Sequence, residues 1–237
     1  MTKTAIVTGA SKGIGKSIAL QLAGLKYNVA IVGRNVQLLN NLKQEIEAKG
    51  VKCCAVEADL NLENSPSQII EKVIACLGQI DVLVNNAGMA NSGSVAETTI
   101  ETWNQLFTVN ARAPFFLSQA AIPYLKESIN PVIINIGSVV DFKGYANQAA
   151  YASSKHALAG FTKVMAKEVQ KDGIKVHLIS PGGVNTEMVR EMRPDIDTSE
   201  LIQPEEIAEL VEFLITRKGK GTIDHFYIRR QSGLAFD

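Results

Sequence analysis

Tyr151 and Lys155 close the run Tyr151-Ala152-Ser153-Ser154-Lys155, and a separation of four residues puts a phenol and an ammonium on one face of a helix. A free tyrosine titrates near pH 10, so about a thousandth is phenolate at pH 7, and lowering the pKa by three units takes roughly 4 kcal/mol. One unit charge at ~4 Å supplies about that much at an effective dielectric near 20. Lys155, helped by a cationic nicotinamide ring, is therefore expected to make Tyr151 a proton donor and acceptor at neutral pH. The pattern alone also occurs on solvated helices, so the neighbours decide. Ser138, thirteen residues ahead of Tyr151, ends the apolar run Val132-Ile133-Ile134-Asn135-Ile136-Gly137 and could donate to a carbonyl oxygen. Asn110, a poor helix-interior residue within Phe107-Thr108-Val109-Asn110-Ala111, is expected to hold a water or a backbone turn that links Lys155 to solvent.

These side chains need a scaffold. Short β-branched runs at Thr4–Thr8, Asn28–Gly33, Lys52–Glu57, Asp81–Asn85, Pro131–Gly137, Lys175–Ser180 and Thr222–Ile228 alternate with helical-period stretches at Gly15–Gly24, Val36–Lys49, Ser65–Leu77, Thr99–Glu127, Ala149–Asp172 and Pro204–Thr216. The strands are almost continuously apolar, as when both faces of a sheet are covered. Repeated β-α-β units predict a doubly wound parallel sheet of about seven strands with helices on both faces and right-handed crossovers. No linker, low-complexity tract or internal repeat divides the chain, so residues 1–237 are read as one domain. Ligands of such sheets bind beyond the carboxyl ends of the strands, which is where Ser138 falls. The irregular segment Val189–Leu201 reads as a flap.

Composition narrows the partners. With 24 basic and 24 acidic residues among 237, the chain carries no basic excess for nucleic acid and no basic amphipathic stretch for a membrane surface. No apolar run approaches the ~18 residues of a membrane helix. Cys53, Cys54 and Cys76 match no metal-ligand spacing and are read as reduced thiols, with vicinal Cys53 and Cys54 on opposite faces of a strand. A cytoplasmic protein without a metal, acting on a small molecule, is expected.

Between the first strand and first helix lies Thr8-Gly9-Ala10-Ser11-Lys12-Gly13-Ile14-Gly15. Glycines permit a tight turn and close backbone approach, and a helix N-terminus offers free N–H groups to a pyrophosphate. A competing reading takes Ala10–Ser17 as a P-loop with Lys16 on phosphates and Ser17 on magnesium, although no acidic metal partner declares itself. The second strand ends at Gly33-Arg34, where a carboxylate would favour NAD; a guanidinium suits a 2′-phosphate, and Lys12 can add a second positive charge. The two favour NADP(H). Asn85-Asn86-Ala87-Gly88 ends the fourth strand with small and amide residues where a cofactor ribose would pass.

Taken jointly, Thr8–Gly15, Asp59-Leu60, Asn85–Gly88, Asn110, Ser138, Tyr151, Lys155 and Pro181-Gly182 with Thr186 resemble the short-chain dehydrogenase/reductase family over most of the chain. The resemblance implies a Rossmann-type fold and catalytic roles for four residues. Ser138 would orient the carbonyl and Tyr151 pass the proton. Lys155 would bind the nicotinamide ribose and lower the phenol's pKa, while Asn110 maintains a water relay. It also implies that Asp59 contacts adenine, that backbone around Val184 and the Thr186 hydroxyl hold the carboxamide, and that the flap covers substrate. Homodimers or homotetramers built on Thr99–Glu127 and Ala149–Asp172 are expected. The tail Arg229-Arg230-Gln231-Ser232-Gly233-Leu234-Ala235-Phe236-Asp237 departs from the family's glycine-rich ending.

The reaction expected is NADPH-dependent reduction of a carbonyl to an alcohol. A 3-oxoacyl thioester, as in the acyl-carrier-protein reductases, is one substrate class; small diketones or pterin-like ketones are the alternative. A catalytically idle NADP-binding sensor or scaffold is the reading from a different class, and an intact Asn/Ser/Tyr/Lys set argues against it. His156, His177 and His225 read as structural, Trp103, Met188 and Met192 as packing, and Asp141 and Lys143 as solvated charges.

Overall fold

The protein is described by a computed structural model over residues 2–192 and 196–233. Seven strands form one parallel sheet: β1 (Thr4–Thr8), β2 (Asn28–Gly33), β3 (Cys53–Glu57), β4 (Val82–Asn85), β5 (Val132–Ile136), β6 (Lys175–Pro181) and β7 (His225–Ile228). Their order is β3-β2-β1-β4-β5-β6-β7, so the winding reverses between β1 and β4 and opens a crevice there. The register pairs Thr8 with Val32 and Val7 with Val84, which brings the ends of β1, β2 and β4 to one edge.

Period-two alternation supplies two cores from the same strands. Ala5, Val7, Val29 and Ile31 pack with α1 (Gly13–Gly24), α2 (Val36–Glu47) and α8 (Pro204–Thr216), whereas Ile6, Ala30, Leu83 and Ile133 pack with α3 (Ser65–Leu77), α5 (Ala113–Leu125) and α6 (Ala149–Val169). Cys53 joins the first core and Cys54 the second, as the strand pattern requires, and all three cysteines are free thiols. Burial pushes both buried thiols up to about 12, which leaves them unreactive. Among the described residues no helix is long and apolar enough to cross a membrane.

The stretch Thr99–Glu127 is not one helix. α4 (Ile100–Phe107) passes through a wide turn, Thr108–Arg112, into α5. Pro114 has no N–H for the Asn110 carbonyl, and the turn widens so that Ala113 N donates to Thr108 O, five residues back. Within the predicted flap, α7 (Glu187–Met192) and a one-turn 3₁₀ segment at Thr198–Glu200 are ordered; Arg193, Pro194 and Asp195 lie outside the described residues, as do Leu234–Asp237 of the tail.

Candidate active site

The loop after β1 is shaped by two contacts that exclude side chains. Gly9 adopts φ +62°, and a Cβ there would come within 2.8 Å of Ala87 Cα; at Gly15 a Cβ would sit 2.3 Å from the Gly9 carbonyl oxygen. Thr8 Oγ1 accepts hydrogen bonds from Asn86 N and Ala87 N at 3.0 Å each, and Asn86 Nδ2 donates to Thr8 O at 2.8 Å. This clamp holds the ends of β1 and β4 together at the switch point. The first turn of α1 has neither a side-chain cap nor an acidic residue, so its N–H groups are left for an anion.

A cleft of about 790 Å³ runs from this loop along the carboxyl edge of the sheet, and every sequence-predicted site residue lines it except Gly15 and Asn110. Gly15 acts through the close packing just described. Asn85 does not face the cleft either: its amide donates to Asn135 Oδ1 at 2.8 Å and to Ser118 Oγ at 3.1 Å inside the second core. A second hollow, of about 910 Å³, lies near Lys3, Tyr27 and Lys52 at the opposite edge and gathers none of the predicted residues. The switch point selects the first of the two.

Asn110 is 1% exposed and sits behind the cleft wall. Its Oδ1 accepts from Met89 N at 2.9 Å, while Nδ2 donates to Met89 O at 2.8 Å and to Ser154 Oγ at 3.0 Å. One amide thus ties the widened turn, the loop after β4 and α6 into a unit. Lys155 is 5% exposed, and its ammonium donates to Ile136 O at 2.9 Å. Burial pulls Lys155 down to about 8, with the charge of Asp141 acting against that fall. At pH 7 it is still mostly an ammonium.

Tyr151 lines the same cleft. Its hydroxyl is hydrogen bonded to Ser138, yet burial, assisted by the negative charge of Asp141, pushes the phenol above its usual value. Burial outweighs the Ser138 hydrogen bond, which acts to lower the phenol. A phenol held protonated at neutral pH is a proton donor to a nascent alkoxide.

Asp141 departs from the solvated charge expected of it. It is 5% exposed rather than solvated, and Oδ2 accepts from Ser138 N at 3.2 Å and from Ser180 Oγ at 2.5 Å. Nothing in the sequence pattern marked it, since an aspartate three residues after a serine in a loop is ordinarily a capping residue. Lys143, Tyr227, Arg229 and Arg230 also border the cleft. Trp103 is 41% exposed and stacks on Phe107 at 4.6 Å, so it is a surface residue and not a core one. Lys16 bonds Glu45 at 2.8 Å, outside the cleft, which removes the P-loop reading.

For a dinucleotide the residues present fit. The glycine cradle leaves no room for side chains, the α1 N-terminus is free, and the exposed Arg34 side chain has no ion pair among the described residues. Lys12 is instead paired with Glu187 of α7 across the cleft mouth, both exposed. No cluster of His, Cys, Asp or Glu among the described residues could hold a metal.

The sequence model for short chain dehydrogenase matches residues 3–197. The chain belongs to the short-chain dehydrogenase family. It is 35% identical to a 3-oxoacyl-acyl-carrier-protein reductase of Staphylococcus aureus over 229 residues, 93% of each chain. Its structure resembles a metagenomic short-chain oxidoreductase solved in complex with NADP (TM-score 0.84, 32% identity, 97% of each chain). It also resembles an acetoin dehydrogenase from Salmonella typhimurium (TM-score 0.87, 33% identity, 96% of this chain and 94% of that one).

Proposed function

We propose that the protein is an NADPH-dependent carbonyl reductase whose catalytic residues are Asn110, Ser138, Tyr151 and Lys155. The observation that carries this reading is the convergence of the Ser138–Tyr151 hydrogen bond and the Lys155 ammonium at the sheet edge, in one cleft with the glycine loop. The bound cofactor would supply a hydride to the carbonyl carbon. Ser138 holds the carbonyl oxygen and polarises it; Tyr151 gives its hydroxyl proton to that oxygen as negative charge develops. Lys155 would engage the cofactor ribose while its positive charge favours the phenolate left behind. Asn110 keeps the Met89 backbone and α6 in register with the couple. Gly9, Ser11, Gly13 and Ile14 would bind the pyrophosphate end, and Arg34 with Lys12 the 2′-phosphate. Asp59 and Leu60 would face adenine, with Asn86, Ala87 and Gly88 along the ribose. Pro181, Gly182, Val184 and Thr186 would hold the carboxamide.

Two substrate classes have support: 3-oxoacyl thioesters from the likeness to the S. aureus reductase, and small vicinal hydroxyketones or diketones from the likeness to the acetoin dehydrogenase. The free thiols suit a reducing, cytoplasmic setting, and exposed aromatic residues on α4 and α5 support assembly into a homo-oligomer. NADPH oxidation measured with a 3-oxoacyl thioester and with a diketone decides the class. Tyr151→Phe is expected to lower kcat by ~10²–10⁴-fold while leaving NADPH binding intact. Turnover that survives this change would remove the proton donor; tight NADPH binding without any turnover would favour the idle sensor.

A further inference from the structure

Ser138 opens the single 3₁₀ turn Val139–Asp141, and the Asp141 carboxylate folds back on the Ser138 N–H at 3.2 Å. A turn cap of this kind normally sits in water. Here the carboxylate is buried, and the structure is fitted around it: a Cβ at Gly137 would lie 2.2 Å from Asp141 Oδ2. The same oxygen accepts the Ser180 hydroxyl proton at 2.5 Å, and Ser180 Oγ lies 2.7 Å from His225 Nε2 on the outer strand β7. Because the single hydroxyl proton of Ser180 goes to Asp141, the His225 contact requires a proton on Nε2. The other carboxylate oxygen, Oδ1, is buried with no hydrogen-bond partner among the described residues. A half-satisfied buried carboxylate is costly unless positive charge lies near it, and Lys155 feels it directly, as does Tyr151.

We propose that Asp141 is a positioning residue of the active site, aiming the Ser138 loop and placing a fixed negative charge behind the Tyr151–Lys155 pair, with Ser180 and His225 anchoring the carboxylate. The proposal deepens the carbonyl-reductase reading and rests on it for its kinetic readout. Among the described residues, Tyr151 and Lys155 from α6 feel the carboxylate, His225 from β7 reaches it through Ser180, and Lys143 follows it two residues on in its own loop. The Lys143 ammonium lies 5.9 Å from the Phe142 ring centroid and 5.5 Å from that of Tyr227. Without the carboxylate charge, burial of Lys155 goes unopposed and its ammonium is lost at lower pH.

The test is a ¹³Cε-lysine NMR titration of the unliganded protein, with the Lys155 resonance identified by its loss in Lys155→Met. In Asp141→Asn the Lys155 midpoint is expected to fall by on the order of one pH unit. The high-pH limb of kcat/KM should move to lower pH by the same amount. Ser180→Ala, which keeps the charge and removes an anchor, should leave the midpoint near wild type while raising KM for the carbonyl substrate. Should Asp141→Asn fail to fold, Asp141→Ser serves in its place. A Lys155 midpoint unmoved in the folded carboxylate-free variant overturns the proposal and reduces Asp141 to a turn cap. A shifted midpoint in a protein with no carbonyl turnover would instead refute the proposed function while leaving the charge placement intact.

Discussion

At the scale of the residue, burial decides more than sequence spacing does. A separation of four positions fixes the common face of a phenol and an ammonium, but not the solvent around them, and solvent sets the pKa values. Lys155 is a stability liability for this reason. Its folded pKa, about 8, lies below the ordinary lysine value of 10.5, so between those limits the unfolded chain binds more protons than the folded one. Stability contributed by this group therefore rises with pH across that window and is lost as pH falls to 8. Lys155→Met is expected to raise Tm at pH 7 relative to wild type and to abolish activity, with the Tm advantage shrinking as the pH approaches 10; an advantage independent of pH would contradict the assignment. Arg34 makes a separate prediction. With no competing ion pair among the described residues, its exposed guanidinium is available to a 2′-phosphate, whose loss removes charge-assisted hydrogen bonds. Arg34→Asp should shift the NADPH/NADH ratio of kcat/KM toward NADH by about 10–100-fold, and an unchanged ratio would place the phosphate elsewhere.

At the scale of the element, strands were legible because each carries an unbroken apolar run, and helices because their period is 3.6. The predicted β1 and β2 bounds coincide with the structure, as do those of α3 and α8. Asn110 was legible as an anomaly, a short amide in a helical stretch, but the widened turn that accommodates it was not. That turn depends on Pro114 four residues on, and on Met89 offering both backbone groups to the amide from a distant loop. Asp141 escaped for the same reason: its burial comes from Ser180 and Gly137, and no local pattern reports a contact from β6. Asn110→Leu tests the coupling between turn and site. It leaves Met89 N and O without partners, at a cost of about 1–3 kcal/mol in urea unfolding. The expected companion is a fall in kcat larger than the change in NADPH affinity, because α6 carries Tyr151 and Lys155. A variant that unfolds earlier yet turns over normally would confine Asn110 to a structural role.

At the scale of the whole molecule, the sheet organises one face for chemistry and leaves another unfinished. The cleft lies at the carboxyl edge, whereas α4 and α5 turn Trp103, Phe115, Phe116 and Tyr124 outward, between 38% and 45% exposed, and Ile100 at 81%. Phe115 meets Phe116 and Phe161 edge-on, at 5.2 and 5.5 Å, so the aromatic surface continues from α5 onto α6. Apolar surface gathered in this way is uncommon on a monomer, while scattered single residues are ordinary. A second copy of the chain is the expected cover, because a self-complementary patch closes with two-fold symmetry and leaves nothing exposed. Light scattering after size exclusion should then give at least a dimer. Phe116→Glu places a charge where the partner would press, and its side chain, 43% exposed, can change without disturbing the core. The variant should run as a monomer. Since α6 bears both this surface and the Tyr151–Lys155 pair, the dissociated form is expected to lose activity through loosened packing at Phe161, with NADPH affinity falling less than kcat. A wild-type chain that remains monomeric at working concentrations would leave the patch without a partner and uncouple it from the site.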